Sequence, residues 1–129
     1  MKLFLQIDIG FTQNKDDEEP WVRYASSLAD DIIGTEIESE SDPRIADTVI
    51  KLAHQVKRIL FLVMIHDPLA PTGNMIQVFS RLLETGAPVS VVLAGSHPVA
   101  EKQFDQLEKK LTRVNKLDEV RTLIREFAQ

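Results

Sequence analysis

The stretch RILFLVMIHDPLAPTG, residues 58–73, decides the fold of this 129-residue chain. Seven consecutive apolar residues, 59–65, lead directly into His66-Asp67-Pro68. A short, uniformly apolar run that ends in turn-forming residues is typical of a parallel strand buried on both faces. Polar residues that follow such a strand lie at the sheet edge where open α/β proteins bind their ligands. The stretch therefore predicts both a central strand and a region in which to look for function.

Strand-like and helix-like segments alternate along the rest of the chain. Apolar runs predict strands, and apolar residues at three- and four-residue spacing predict helices. Pro20, Pro43 and Pro98 suit first helical turns, and Gly34 suits a helix end. The predicted strands cover residues 2–9, 35–41, 58–66, 88–95 and 111–115. The predicted helices cover residues 20–33, 43–57 and 74–85, a segment that begins at His97, and residues 117–128.

The helical spacing also predicts which side chains face the sheet. His54 lies beside the apolar stripe of the second helix, so we expect it at the surface. The expected inward side chains, helix by helix, are Trp21, Ala25, Leu28 and Ile32; Ile45, Val49, Leu52 and Val56; Met75, Phe79 and Leu82; Ala100, Phe104, Leu107 and Leu111; and Leu117, Val120, Ile124 and Phe127.

The chemistry of the strands predicts their order in the sheet. Alternating strands and helices form a parallel sheet with right-handed crossovers and helices on both faces. Strands 1, 3 and 4 are apolar and belong in the centre, whereas strands 2 and 5, TEIESES and LTRVN, are short and polar, as edge strands must be. We predict one α/β domain over residues 1–129. It is a three-layer α/β/α sandwich around a five-stranded parallel sheet with the flavodoxin-like order 2-1-3-4-5.

Composition and charge limit the classes of function. The chain has no cysteine, which excludes disulfides and thiolate metal sites and suits a reducing compartment. No apolar run approaches the ~20 residues of a membrane span, and Gln6 and Asp8 interrupt the apolar start that a signal peptide would need. Residues 15–48 carry eleven acidic side chains against three basic ones, which disfavours nucleic acid as a partner. We therefore expect a soluble, cytoplasmic protein that binds neither nucleic acid nor membranes.

The predicted strand order brings several polar residues to one edge of the sheet. The chain reverses direction between strands 1 and 3, so a cleft is expected above the carboxyl ends of these strands. The candidate residues of this cleft are Asp8, Gly10, Thr12, His66, Asp67, Ser96 and His97. Because loops collect polar residues in any protein, a solvated loop surface is the alternative interpretation.

The loop after the first strand disfavours a phosphate-bearing cofactor. Residues 10–15, GFTQNK, lack the glycine pattern of a P-loop and of a dinucleotide site. The loop continues into the four consecutive acidic residues 16–19, which would repel a phosphate group. We therefore expect no cofactor.

The other candidate chemistries lack supporting motifs. Asp8 and Asp67, with His66 or His97, offer metal-ligating groups, but their spacing in the sequence matches no metal motif. Ser96 and His97 place a nucleophile beside a base, but the second glycine of a nucleophile elbow is missing. The favoured role for Ser96 or His97 is to cap the helix that follows.

The layout of the chain resembles that of response-regulator receiver domains. Asp67 stands at the end of the third strand, where receivers carry their phospho-accepting aspartate, and Pro71 and Gly73 resemble the loop that follows it. The stretch KLDEV, residues 116–120, resembles the opening of the last receiver helix. The resemblance covers nearly the whole chain and implies a flavodoxin-like fold with a regulatory role.

The receiver pattern of catalytic residues is incomplete in this chain. Asp8 stands alone where receivers have an acidic pair for Mg²⁺, and Ala94-Gly95 replaces the usual Ser or Thr. Lys116 lacks the proline that follows the receiver lysine. Phosphoryl transfer needs clustered carboxylates and a lysine around the phosphoryl group. We therefore expect a non-enzymatic regulatory or protein-interaction module, which binds a protein partner or self-associates. The alternative is a small enzyme or ligand-binding domain that uses the cleft above strands 1 and 3.

Overall fold

The computed structural model describes residues 1–10, 21–39, 42–106 and 111–129. Strands and helices alternate throughout these ranges, and none of the described helices is both long and apolar enough to cross a membrane. The strands are β1 (Lys2–Ile9), β2 (Ile32–Glu38), β3 (Arg58–Ile65), β4 (Val89–Ala94) and β5 (Leu111–Val114). The helices are α1 (Trp21–Leu28), α2 (Pro43–Ala53), α3 (Met75–Glu84), α4 (Pro98–Gln106) and α5 (Leu117–Ala128).

The five strands form one parallel sheet in the order β2-β1-β3-β4-β5. β1 and β3 pair over their full length, from Lys2 opposite Arg58 to Ile9 opposite Ile65. The predicted flavodoxin-like order is confirmed, with the two polar strands at the edges. The chain therefore reverses direction between β1 and β3, and the carboxyl ends of these two strands lie side by side.

Each face of the sheet is covered by its own helices, so the predicted three-layer sandwich is confirmed. Successive side chains of a strand point to opposite faces. Leu3, Leu5, Ile7 and Ile9 of β1 pack with the core formed by α2, α3 and α4. Phe4 of β1 and Leu62 of β3 pack on the opposite face with α1 and α5. Burial on both faces explains why β1 and β3 are continuous apolar runs.

Three buried phenylalanines join the centre of the sheet to two helices. Phe61 of β3 stacks on Phe79 of α3, with ring centroids 5.6 Å apart. Phe104 of α4 meets Phe79 edge-on at 5.0 Å. All three side chains are fully buried, and aromatic pairs of this kind contribute about 0.5–1.5 kcal/mol beyond the burial of their area. This cluster joins α3 and α4 to the centre of the sheet.

The second strand begins earlier than the sequence pattern predicts. The pattern extends the first helix to residue 33, but α1 ends at Leu28, and Ile32 and Ile33 open β2. Ile32 pairs with Lys2 of β1 and packs into the core that α1 also covers. Because the same side chain is buried in either conformation, helical spacing could not separate the two. β-branched residues favour strands, and pairing with β1 decides the outcome.

Gly34 is a residue of β2, and the predicted role as a helix stop is wrong. A methyl group at this position would lie 2.8 Å from Ser26 Oγ and 2.9 Å from Val22 Cγ1, both in α1. These distances are shorter than van der Waals contact. Glycine is therefore favoured at this position, because α1 packs close to the backbone of the edge strand.

Three of the predicted inward side chains are exposed instead of buried. Leu28, Ile45 and Leu117 are 37%, 48% and 52% exposed. α2 ends at Ala53, four residues short of the prediction. Val49 and Val56 of the predicted stripe are buried, whereas Ala46, Ile50 and Ala53 are buried in place of Ile45 and Leu52. Small alanines let the helix lie close to the sheet, whereas the prediction followed the largest side chains. Leu107 lies outside the described residues, and Leu111 opens β5.

The start of α2 is capped as the Asp42-Pro43 pair predicts. The Asp42 side chain accepts a hydrogen bond from Arg44 N at 2.9 Å, and Pro43 occupies the first helical position. The Arg44 side chain hydrogen-bonds the same carboxylate and lowers the pKa of Asp42, and the bond from Arg44 N adds to this effect. A cap of this type stabilises a helix start by roughly 1 kcal/mol.

The aromatic cluster predicts a steep dependence of stability on Phe79. The substitution Phe79→Ala is expected to lower the free energy of unfolding by about 3–5 kcal/mol, because it leaves a cavity between two other rings. The control Leu69→Ala, at a side chain that is 91% exposed, should change it by less than about 0.5 kcal/mol. Urea denaturation followed by circular dichroism measures both values. Equal shifts of the two midpoints would contradict the described packing.

Candidate functional site

The structure brings the candidate residues together in three separate contacts. Asp8 meets His66, Gly10 meets the backbone of Asp67, and His97 contacts the loop after β3. Ser96 is exposed at the end of β4. Thr12 lies outside the described residues, as does the rest of the loop 11–20.

A buried polar cluster lies at the carboxyl end of the two central strands. Gln6 and Asp8 are two residues apart on β1, so they share the face that α1 and α5 cover. Asp8 Oδ1 accepts a hydrogen bond from Gln6 Nε2 at 3.0 Å and lies 2.9 Å from His66 Nε2. The side chains of His66 and Asp8 are only 13% and 8% exposed. The two donors compensate for the burial of the Asp8 carboxylate.

Gly10 is a position that only glycine can occupy. Its φ of +90° lies in the region that other residues avoid, and a methyl group there would lie 2.7 Å from Asp67 Cβ. Both His66 N and Asp67 N donate to Ile9 O, at 2.8 and 3.4 Å. The chain therefore leaves β1 and β3 with the two backbones in contact, which determines where Asp67 lies.

The loop after β3 is held in one conformation by Asp67. Asp67 Oδ1 accepts from Leu69 N at 2.9 Å, and Asp67 O accepts from Ala70 N at 3.2 Å. This is an Asx turn, in which an aspartate side chain bonds the backbone two residues on. Pro68 and Pro71 restrict the same segment further. Leu69 stands at the tip of the turn and is 91% exposed.

His97 is a structural residue that joins two loops. Its Nδ1 accepts a hydrogen bond from Ala100 N at 3.1 Å, and its Nε2 donates to Ala70 O at 2.7 Å. These partners require the neutral ring with its proton on Nε2. The residue is 2% exposed. His97 thus caps α4, the role that its place before Pro98 predicts, and it fastens the β3–α3 loop to α4.

A cavity of about 370 Å³ opens at the carboxyl edge, between the ends of β1 and β2 and the loop after β3. The described residues that line it are Asp8, Gly10, Glu38, Ser39, Asp67, Leu69, Ala70 and Pro71. Among the candidate residues, Asp8, Gly10 and Asp67 contribute to this lining, whereas His66, Ser96 and His97 do not. The cavity therefore extends from β1 and β3 toward β2, on the opposite side from β4.

Sequence reasoning missed three residues of this region. Gln6 belongs to the polar cluster, and Glu38 and Ser39 line the cavity. Ser39 is 3% exposed, and its backbone is held at both ends, because Ser39 N donates to Asp8 O and Ser39 O accepts from Asn74 N. The signal for Gln6 was present in the sequence, since two polar residues at positions 6 and 8 share one face of an otherwise apolar strand. No comparable pattern marks Ser39.

The cavity combines three carboxylates with one buried hydroxyl and an apolar wall. Asp8, Glu38 and Asp67 supply the carboxylates, and Ser39 supplies the hydroxyl. In ranges 1–10, 21–39, 42–106 and 111–129, no three histidine, cysteine or carboxylate side chains are grouped so as to hold a metal ion. The geometry thus offers hydrogen-bond acceptors to a ligand, without a set of metal ligands among these residues.

No protein-family model, no curated protein and no solved structure matches this chain. The fold and the geometry of the carboxyl edge are therefore the observations from which function is inferred.

The two hydrogen bonds of the His97 ring predict that substitution of this residue lowers the stability of the protein. The substitution His97→Ala is expected to lower the free energy of unfolding by about 2 kcal/mol, because it removes a helix cap and leaves Ala70 O without its donor. His97→Asn, whose side chain can still cap α4, should recover about half of this loss. The exposed neighbour provides the control Ser96→Ala, with a change below about 0.5 kcal/mol.

Chemical denaturation at neutral pH measures the three variants. An unfolding free energy of His97→Ala equal to that of Ser96→Ala would show that His97 does not serve as a structural clamp.

Proposed function

We propose that this chain is a non-enzymatic regulatory module with a degenerate receiver-like fold, which acts by binding a protein partner at its carboxyl edge. The observation that carries the proposal is that the candidate reactive groups are hydrogen-bonded to other residues of the fold. Both ring nitrogens of His97 are bonded, Asp67 closes a turn, and Asp8 is bonded by Gln6 and His66. Each of these groups is hydrogen-bonded within the fold, and the loss of such a bond costs stability.

The positions that a receiver uses for phosphoryl transfer support the same proposal. Ile9, which follows Asp8, is fully buried in the core, so this position cannot present a second carboxylate to a metal ion. Lys116 lines a separate groove of about 170 Å³ above the ends of β3, β4 and β5. Asp67 is not among the described residues that line this groove. The lysine and the aspartate thus belong to different surface features.

The loop that follows β3 has the properties of a protein-binding element. Leu69 is a large apolar side chain that is almost fully exposed. The segment that carries it is held by the Asp67 turn, by the His97–Ala70 hydrogen bond and by two prolines. A preordered loop loses little conformational entropy when it binds, which favours association. Acidic side chains beside the loop favour a partner whose contacting surface is basic.

The absence of phosphotransfer at Asp67 is a direct test of the non-enzymatic part of the proposal. The chain is incubated with acetyl phosphate and MgCl₂, and its intact mass is measured beside that of Asp67→Asn. Asparagine keeps the Oδ1 acceptor of the turn, so this variant is a matched control. We expect that the wild type gains no phosphoryl adduct that Asp67→Asn lacks. A phosphoryl adduct on the wild type that is missing from Asp67→Asn would overturn the proposal.

The partner-binding part predicts a dominant role for Leu69. Peptides are selected from a displayed random library on the immobilised chain, and their affinities are then measured for Leu69→Ser. We expect binding to weaken roughly tenfold or more, as at an anchor residue of an interface. Leu28→Ser is the matched control, because Leu28 is exposed at the end of α1, at the opposite edge of the sheet. It should leave binding unchanged.

Two results of this selection would contradict the proposal. One is a library from which no binding peptide emerges. The other is a set of peptides that bind Leu69→Ser as tightly as the wild type.

A second candidate function, a ligand-binding domain or small enzyme, is favoured by one observation. The cavity beside Asp8 has about 370 Å³, which lies within the range of small-molecule sites. It lies above the ends of β1 and β3 and extends to β2. Turnover of a small molecule that is lost in Asp8→Asn would support this candidate over the first.

A further inference from the structure

The buried polar cluster beside the cavity is short of hydrogen-bond donors. Both donors to Asp8, from Gln6 and His66, reach Oδ1. Within the described part of the chain, no donor reaches Asp8 Oδ2, and Gln6 Oε1 also has no partner. Asp8 is 6% exposed and lines the cavity. A carboxylate oxygen in such surroundings favours a ligand that brings N–H donors.

Ser39 is a second buried polar group at the cavity wall. The residue is only 3% exposed. Its backbone N–H and C=O groups make its hydrogen bonds with other described residues. Ser39 thus contributes a hydroxyl-bearing side chain to the cavity lining. Asp67 reaches the same cavity, and its Oδ1 is used by Leu69 N. A ligand thus meets several acceptors.

The other residues that line the cavity indicate what kind of hydrogen-bond donor a ligand would bring. The described lining residues include three acidic side chains and no basic one. The carboxylates of Asp8 and Asp67 favour a cation over an anion. Leu69, Ala70 and Pro71 form an apolar wall, against which the methylene chain of a cation can pack. The described residues provide no group of metal ligands, which favours an organic cation over a metal ion.

We propose that this cavity binds the ammonium or guanidinium group of an organic cation, with Asp8 and Asp67 as charge partners and Ser39 as an additional acceptor. The group comes either from a free alkyl amine or guanidine, or from a lysine or arginine side chain of a bound protein. In the second case the inference deepens the proposed function and rests on it, because it names the group that the partner inserts. Free cations test the cavity without a partner.

The binding of two free cations is measured by NMR titration of the labelled full chain. n-Butylguanidinium and n-butylammonium are the probes, and n-butanol is the uncharged control. We expect saturable shifts of the backbone amides of Gly10, Ser39 and Leu69 with the two cations and no saturation with butanol. Equal binding of butanol, or shifts confined to other regions, would overturn the inference.

Variants that keep the local hydrogen bonds test the role of charge. Asp8→Asn and Asp67→Asn each retain an oxygen acceptor, and each is expected to weaken cation binding roughly tenfold. The control Asp118→Asn changes an aspartate of α5 that is highly exposed and should leave binding unchanged. Ser39→Ala provides a smaller, charge-neutral perturbation that should weaken binding severalfold. Wild-type affinity in both aspartate variants would overturn the inference, and spectra with preserved dispersion establish that each variant is folded.

Further measurements distinguish a metal ion, a free organic cation and a protein side chain as the bound group. They also distinguish this inference from the proposed function. MgCl₂ that saturates the same amides and displaces butylguanidinium would show a metal site and overturn the organic cation. Selected peptides that lose affinity when their lysine or arginine is replaced by glutamine would identify a protein side chain as the source. Peptides that compete with free cations but need no basic residue would contradict that source. Failure of cation binding together with intact peptide binding removes this inference alone, whereas cation binding by a chain that selects no peptide removes the proposed function alone.

Discussion

The pairing of β1 with β3 is the constraint on which the rest of the structure depends. The two strands pair from Lys2–Arg58 to Ile9–Ile65 and lie at the junction of both cores. Their alternate side chains pack under different helices, so neither core can form without this register. A shift of one residue would exchange the two sets of side chains and place the polar pair Gln6 and Asp8 in the larger apolar core.

The same pairing determines what the carboxyl edge can do. Because β1 and β3 end side by side, Gly10 contacts Asp67, and Asp8 lies within hydrogen-bond distance of His66. The polar groups at the carboxyl ends of β1 and β3 thereby form hydrogen bonds that join strands and loops. His97 extends this arrangement by connecting α4 to the loop after β3. Asp8, Asp67 and His97 therefore make hydrogen bonds within the fold, and the cavity that Asp8 and Asp67 line lies on the side of β2.

The edge strand β2 lies next to this cavity and carries acidic side chains, which suits the proposed binding of a cation. Glu36 and Glu38 follow the apolar start of β2, and both are exposed. Charged side chains on an edge strand oppose pairing with other sheets. At the carboxyl end, the same strand supplies Glu38 and Ser39 to the cavity wall. The end of this edge strand thus carries acidic side chains and forms part of the cavity wall.

The amino-acid sequence by itself determined the layer architecture and the strand order. The uninterrupted apolar run of β3 requires burial on two faces, and the polar character of β2 and β5 requires edge positions, so local chemistry was sufficient for both. The cap at Asp42 and the cap at His97 were also readable, because a cap depends on neighbours in the chain.

Only the tertiary structure decided which side chains meet across the sheet. Ile32 belongs to a strand because β1 pairs with it, although its burial fits a helix equally well. Ser39 reaches the cavity, and Asp67 contacts Gly10, through the relative positions of three strands that are distant in sequence. Register and loop approach are long-range properties, set by the packing of the whole sheet, and no local pattern of residues encodes them.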